Sequence, residues 1–177
     1  MSSSNSDKEA HRSNTHPRIV CGAVPINYLT NQILLISSRK HKGNWVLPKG
    51  GYELSDVRLE TAASREAFEE AGVIGQVRNL VLSIDDKRPI KTLTDNDPFI
   101  PRARYHFFEY VFLSQEIYMF IVYRISVDEL STQWPESNER DRCWCSFGEA
   151  LNRVSWRDEQ RAALLACSLN NNSSSSS

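Results

Sequence analysis

The sequence predicts an α/β fold, a sheet with helices packed on it, from three observations. Short aliphatic and β-branched runs, RIVCGAVPI, QILLISS and EIYMFIVYRISV, have the composition of buried strands. Among them lies a helical stretch, VRLETAASREAFEEA, followed by Gly72, which ends it as a left-handed cap would. Two further helix-forming segments, GEALNRV and WRDEQRAALLACSL, close the chain. Strands first, a helix between, then more strands and closing helices make an α/β sandwich.

Taken in order, residues 1–16 are mostly Ser, Asn and charge, and residues 169–177 are an Asn/Ser tract; both tails read as disordered, leaving one domain over 17–168. RIVCGAVPI and QILLISS form strands separated by a loop at Asn27 to Asn31. Asn44 to Leu47 is a short strand leading into a turn made by Pro48, Gly50 and Gly51, where backbone can approach a ligand closely. The helix runs roughly from Val57 to Ala71, and VRNLVLSI returns as a strand. A long loop at about 85–104, rich in Pro, Asp and Arg, follows; polar loops of that length are more often functional than accidental. YHFFEYVF reads either as a strand pairing with the next one or as a surface segment. EIYMFIVYRISV, the most strand-like segment, is expected at the centre of the sheet, and CWCSF is the last strand. There is no internal repeat of useful period.

Composition fits one domain with a real core: 177 residues, 40% hydrophobic and 10% aromatic. A net charge of −1 gives no global attraction to nucleic acid or membrane. No apolar run approaches the ~20 residues of a membrane span, and the first residues lack the apolar core of a signal peptide. An intracellular chain is expected, with Cys21, Cys143, Cys145 and Cys167 as free thiols. The Cys143/Cys145 pair has strand alternation and no second pair or histidine close in sequence to make a zinc site.

Glu66, Glu69 and Glu70 stand at i, i+3 and i+4, so their carboxylates project from one helical face. Like charges so close repel, and a divalent cation offsets that cost. Carboxylate oxygens without histidine or cysteine suit magnesium or manganese rather than zinc. An acidic helix face is usually only solvated surface, but the neighbours argue for a site. Ala62 and Ala63 are expected to leave room for a ligand on the carboxylate side, with Ser64, Phe68 and Ala71 turned to a core.

The run GG…REAFEEAGV resembles the Nudix box: glycine, five residues, glutamate, seven residues, then Arg-Glu-aliphatic-x-Glu-Glu-x-Gly-aliphatic. Arg65, Glu66, Ala67, Glu69, Glu70, Gly72 and Val73 match its second half without a gap. The first half departs. Counting back from Arg65 puts Gly51 at the glycine but Val57 at the first glutamate, whereas starting from Gly50 puts Asp56 there with one extra residue before Arg65; Asp56 is the displaced stand-in. The resemblance implies a Nudix-type α/β/α sandwich with a mixed sheet and a loop-helix-loop, and a Mg²⁺-dependent hydrolase of diphosphates, with Mn²⁺ as a substitute. It carries Glu66 and Glu70 over as the main metal ligands. Glu69 would share the metal or take the proton from the attacking water, and Arg65 would orient a carboxylate.

Basic residues outside the helix bear on the substrate: Arg18, the cluster Arg39, Lys40, His41 and Lys42, then Lys49, Lys87, Arg88, Lys91, Arg102, Arg104, Arg140 and Arg142. Most such residues are merely solvated, but strand ends and loops would bring several round the acidic helix, which suits a densely phosphorylated ligand. ISSRKHKGNWVLPKGG, EEAGVIG and WPESNERDRCW look like the diphosphoinositol polyphosphate phosphohydrolase branch, most like its fungal and plant members, over residues 17–83 and 116–160. That resemblance implies release of the β-phosphate from diphosphoinositol polyphosphates, with activity on diadenosine polyphosphates and inorganic polyphosphate. By position, Arg18, Ser38, Arg39, Lys40, Lys49 and Arg140 would hold phosphates beside the Gly50 and Gly51 backbone, and Lys49 would also offer its carbonyl to the metal. The branch often carries basic residues where Glu139 and Asp141 stand, which implies weaker binding of the most phosphorylated substrates. Three other readings stay open: a dedicated diadenosine polyphosphate hydrolase, an mRNA-cap hydrolase, and a catalytically silent polyanion-binding module. Against a cap hydrolase, the chain shows no basic stripe with interleaved aromatics for an RNA body, and a silent module has no need of three acids. The partner expected is thus a small-molecule polyphosphate, not a membrane or a specific nucleic acid, acting on a cytoplasmic and nuclear monomer.

Overall fold

The computed structural model describes residues 17–86, 88, 99–111 and 130–173. The expected central strand EIYMFIVYRISV, the amino-terminal tail and the middle of the long loop, with Lys87 and Lys91, lie outside the described residues.

Strand β1 (Arg18–Asn27) organises the sheet. Residues Cys21 to Pro25 are buried almost without interruption, as the continuous apolar run requires of a strand covered on both faces. Its outer half pairs antiparallel with β2 (Gln32–Ser37), Ile26 opposite Ile33. The same edge, nearer the start of β1, takes β4 (Lys49–Gly51), with Cys21 opposite Gly50 and Gly22 opposite Lys49. On its other edge β1 runs parallel to β6 (Ala103–Val111), which pairs antiparallel with β5 (Gln76–Asp85). β2 carries β3 (Trp45–Val46) and β7 (Arg142–Ser146), both antiparallel. The sheet is mixed, as expected. YHFFEYVF is therefore a strand, but its described partners are β1 and the preceding β5. The chain between β5 and β6 begins with the Asp86 amide bonded to the Ala103 carbonyl.

Alternation along β1 sends its side chains to two cores. Cys21 and Ala23 meet the helix α1 (Leu59–Ala71), through Ala62 and Ala63 and through Ala67 and Ala71. Val24 and Ile26 meet α2 (Phe147–Arg153) and α3 (Asp158–Ala166), with Leu35, Phe107, Val154 and Leu164. This is a helix–sheet–helix sandwich.

Two expectations about burial need correction. Ala62 and Ala63 do not open a space for ligand; they are fully buried against Cys21 and Phe108, while Phe68 is exposed. The small residues let the helix lie close on the sheet, and Glu66 and Glu70 sit within that same buried face. The Asn/Ser tract expected to be disordered from 169 is helical through α4 (Ser168–Ser173). Leu169 joins the core, and the buried Glu109 carboxylate accepts from the Ser168 amide at 3.1 Å and its hydroxyl at 2.9 Å. A local composition rule does not register a partner on a strand 59 residues away.

Candidate active site

The helix α1 is fixed at both ends. Before it, a single turn of 3-10 helix (Leu54–Asp56) leads into Val57, which holds φ 62° although it is β-branched. After it, Gly72 adopts φ 63° and its amide bonds to the Phe68 carbonyl at 2.8 Å. Leaving Gly72, the chain meets the segment 130–142. Ser131 N–H donates to the Gly72 carbonyl, Glu136 N–H to the Glu69 carbonyl, and Arg142 Nη1 to the Ala71 carbonyl. Those carbonyls would otherwise be unsatisfied at a helix end. Arg142 also stacks over Trp134 at 3.7 Å.

Arg65 is the hub of the entrance. Its Nε and Nη2 fork onto Asp56 at 2.8 and 3.0 Å, Nη2 also donates to the Gly51 carbonyl at 2.8 Å, and Nη1 reaches Glu66 at 2.9 Å and Glu69 at 3.2 Å. Both Asp56 oxygens are thus engaged, and Oδ2 further accepts the Glu53 amide. Hydrogen bonds from Arg65 hold the Asp56 carboxyl below its ordinary range. The displaced acid orients the arginine that orients Glu66.

Glu66 lies against the glycine strand. A β-carbon on Gly50 would stand 2.1 Å from the Glu66 carboxyl carbon and from each of its oxygens, so only glycine leaves room for this carboxylate. Glu70 accepts the Lys49 amide at 2.8 Å through Oε2 and pairs with Arg140 through Oε1. Burial raises the carboxyls of both Glu66 and Glu70, the latter up to about 7, against the pull of Arg65 and of Arg140 with Lys49. Lys49, in turn, is lowered by burial. Glu69 stands apart, with 42% of its side chain exposed against 12% for Glu66 and 10% for Glu70.

Among the described residues no group of three or more His, Cys, Asp or Glu is arranged to hold a metal ion; Arg65 and Arg140 take the carboxylate oxygens instead. The donor chemistry still fits a hard divalent cation. Burial disfavours the charged form of both Glu66 and Glu70 despite their arginine partners, and Gly50 keeps side-chain bulk away from the Glu66 carboxylate, so further positive charge from a cation on their oxygens would be favourable.

Of the expected phosphate-holding residues, Arg18 lies beside Gly51, its Nη2 3.0 Å from where a β-carbon would be. Ser38 shapes the basic turn by accepting the His41 amide at 3.2 Å, and Lys40 is exposed there. Arg39 is exposed but engaged: it pairs with Glu136 at 2.9 Å and with Glu139 at 2.7 Å. Arg140 is buried, bonded to Glu136, Glu70 and the Ser37 carbonyl. Arg104 and Arg88 pair locally with Asp85 and Asp86. Sequence reasoning missed Glu136, although its i,i+4 spacing to Arg140 was a signal for it.

A NUDIX domain model matches residues 16–166. The chain belongs to the Nudix family. This Nudix chain is 29% identical over 174 residues to Nudix hydrolase 12, mitochondrial, of Arabidopsis thaliana, covering 90% of this chain and 77% of that one. It is 32% identical over 155 residues to Nudix hydrolase 21, chloroplastic, of the same plant, covering 84% and 66%. Diphosphoinositol polyphosphate phosphohydrolase 3-alpha of Mus musculus is 28% identical over 123 residues, covering 68% and 58%. Among solved structures, a NUDIX hydrolase from Nitrosomonas europaea superposes with a TM-score of 0.58 at 17% identity, over 90% of this chain and 74% of that one. That likeness bears on the fold alone, and the fold is the Nudix α/β sandwich.

Proposed function

We propose that this Nudix chain hydrolyses the diphosphate group of diphosphoinositol polyphosphates, releasing orthophosphate, with Mg²⁺ (or Mn²⁺) held by Glu66 and Glu70, shared by Glu69 and completed by the Lys49 carbonyl. The observation that carries the reading is the convergence on one glycine strand of the acids and the basic residues. Glu66 lies against Gly50, the Lys49 amide donates to Glu70, Arg18 stands beside Gly51, and Arg140 closes on Glu70. A divalent cation held by these residues would neutralise phosphoryl charge and acidify a water. Glu69, the most exposed of the three acids, takes the proton of the attacking water. Arg65 keeps Glu66 turned to the strand, itself held by Asp56. Arg18, Ser38, Lys40 and the backbone of Gly50 and Gly51 line the approach for a polyphosphate. The name of the mouse relative supports the substrate class.

A dinucleoside polyphosphate is the second reading, favoured by the pairing of Arg39 with Glu136 and Glu139, which leaves less positive charge for a fully phosphorylated ring. Purified protein with Mg²⁺ is expected to release orthophosphate from 5-diphosphoinositol pentakisphosphate faster than it turns over diadenosine hexaphosphate or polyphosphate, and to stop in EDTA. Faster cleavage of the dinucleotide would install the second reading, and binding without release would favour the silent module. Among the described residues no helix is long and apolar enough to cross a membrane. A cytoplasmic and nuclear monomer is part of the proposal. The plant relatives are named mitochondrial or chloroplastic, so imaging of a tagged chain is the test of place.

A further inference from the structure

One carboxylate stands between the two arginines expected to meet phosphate. Glu136 Oε1 pairs with Arg39 at 2.9 Å and its Oε2 pairs with the Arg140 Nε, while Arg140 Nη2 continues to Glu70. A continuous chain of charges, Glu139–Arg39–Glu136–Arg140–Glu70, therefore runs from the basic turn into the acidic helix. Its middle is sheltered: the side chains of Arg140 and Glu136 are 7% and 19% exposed, against 48% for Arg39. Sheltered ion pairs keep more of their strength than exposed ones, and salt screens them less. Glu136 is also held by its main chain, its amide on the Glu69 carbonyl at 3.1 Å and its carbonyl accepting from the amides of Glu139 and Arg140. The side chain is thus presented to the arginines by a backbone that does not depend on it.

We propose that Glu136 is a specificity-determining residue, an internal anion that occupies Arg39 and Arg140 and yields them only to a ligand carrying more charge than one carboxylate. A phosphate of a polyphosphate chain offers more oxygens to the guanidinium forks and so displaces the carboxylate, whereas weakly charged anions do not. The inference rests on the reading that this face takes a polyphosphate, but not on which molecule carries it.

The test uses the full chain in EDTA, so that nothing turns over, with inorganic tripolyphosphate as probe and calorimetry as readout. Glu136→Gln keeps the backbone contacts and one acceptor while removing the charge, and is expected to bind the probe at least ~10-fold more tightly. Glu139→Gln, whose partner Arg39 keeps Glu136, is expected to tighten binding by less than ~3-fold. Arg39→Gln in the otherwise unaltered chain is expected to weaken binding by at least ~3-fold, because the probe takes that arginine over from Glu136. Equal or weaker binding by a folded Glu136→Gln variant overturns the proposal. So does unchanged or tighter binding by Arg39→Gln, a result that needs no folded Glu136 variant. If Glu136→Gln binds more tightly yet neither protein releases orthophosphate from 5-diphosphoinositol pentakisphosphate, the substrate reading falls and the role of Glu136 stands.

Discussion

The carboxylate of Glu66 rests on the α-carbon of Gly50, so close that a methyl group there would stand 2.1 Å from its carboxyl carbon and both oxygens. The glycine strand and the acidic helix are therefore built to one another at that point. Gly50 carries no left-handed backbone, so alanine is not excluded by conformation. Gly50→Ala is expected to fold, with Glu66 pushed aside, and to lose at least ~10²-fold in kcat, the cost of misplacing a reacting group by about 1 Å. Thermal melting and orthophosphate release, measured together, check this; a folded variant with normal turnover would show that Glu66 need not lie on the strand.

Glu69 tests the assignment of the base. It is the most exposed of the three acids, and its described side-chain contact is the 3.2 Å one to Arg65. Glu69→Gln is expected to leave the melting curve unchanged and cut kcat by at least ~10²-fold, as loss of a general base does. Near-normal steady-state turnover would remove Glu69 from that role.

Asp56 makes a prediction about acid stability. Its carboxyl is held below its ordinary range by Arg65, so the native state favours the charged form. The stabilisation is fully present above the unfolded aspartate pKa of ~3.9 and is lost as pH falls through the lower native value. Asp56→Asn is expected to cost roughly 2 kcal/mol near neutrality, from the weakened charge-assisted fork. Urea melts from pH 7 to pH 2 should show the difference from the unaltered chain shrinking only below about pH 4. A constant difference across that range would mean that the charge on Asp56 contributes nothing.

Val57 is strained and has no packing to compensate. It holds φ 62° and ψ −40° with 79% of its surface exposed. A β-branched residue at positive φ costs of order 1–3 kcal/mol, and glycine removes that cost while losing up to about 1 kcal/mol in chain entropy. Val57→Gly is expected to stabilise the chain by about 1 kcal/mol and raise Tm by roughly 2–4 °C, measured by calorimetry. A lower Tm would contradict the strained turn before the helix.

Much of the site was legible from the chain alone, and the parts that were not share a cause. Glu66, Glu69 and Glu70 are related by helical period, so their common face follows from position in the sequence. Gly72 ends the helix with the left-handed backbone that its place in the sequence predicts. Phe68 was misassigned because a helix packed through alanines buries its narrow side, and hydrophobicity alone does not reveal which side that is. Leu169 was misassigned because the Asn/Ser run after it looks disordered until Glu109 is seen to hold Ser168.

By itself the sequence determined an acidic helical face, three carboxylates on one turn with an arginine before them, from spacings of a few residues. The glycine turn expected upstream is a strand, Lys49–Gly51, that the sheet brings to face them. Only the tertiary structure decided which positive charges remain available to a ligand. Arg39 meets Glu139 across 100 residues and Arg140 meets Glu70 across 70. Such pairs are set by how the basic turn, the 130–142 segment and the helix pack, and no local period encodes them. A count of basic residues therefore overstated the free charge around the acidic helix, because Glu136 already holds two of them.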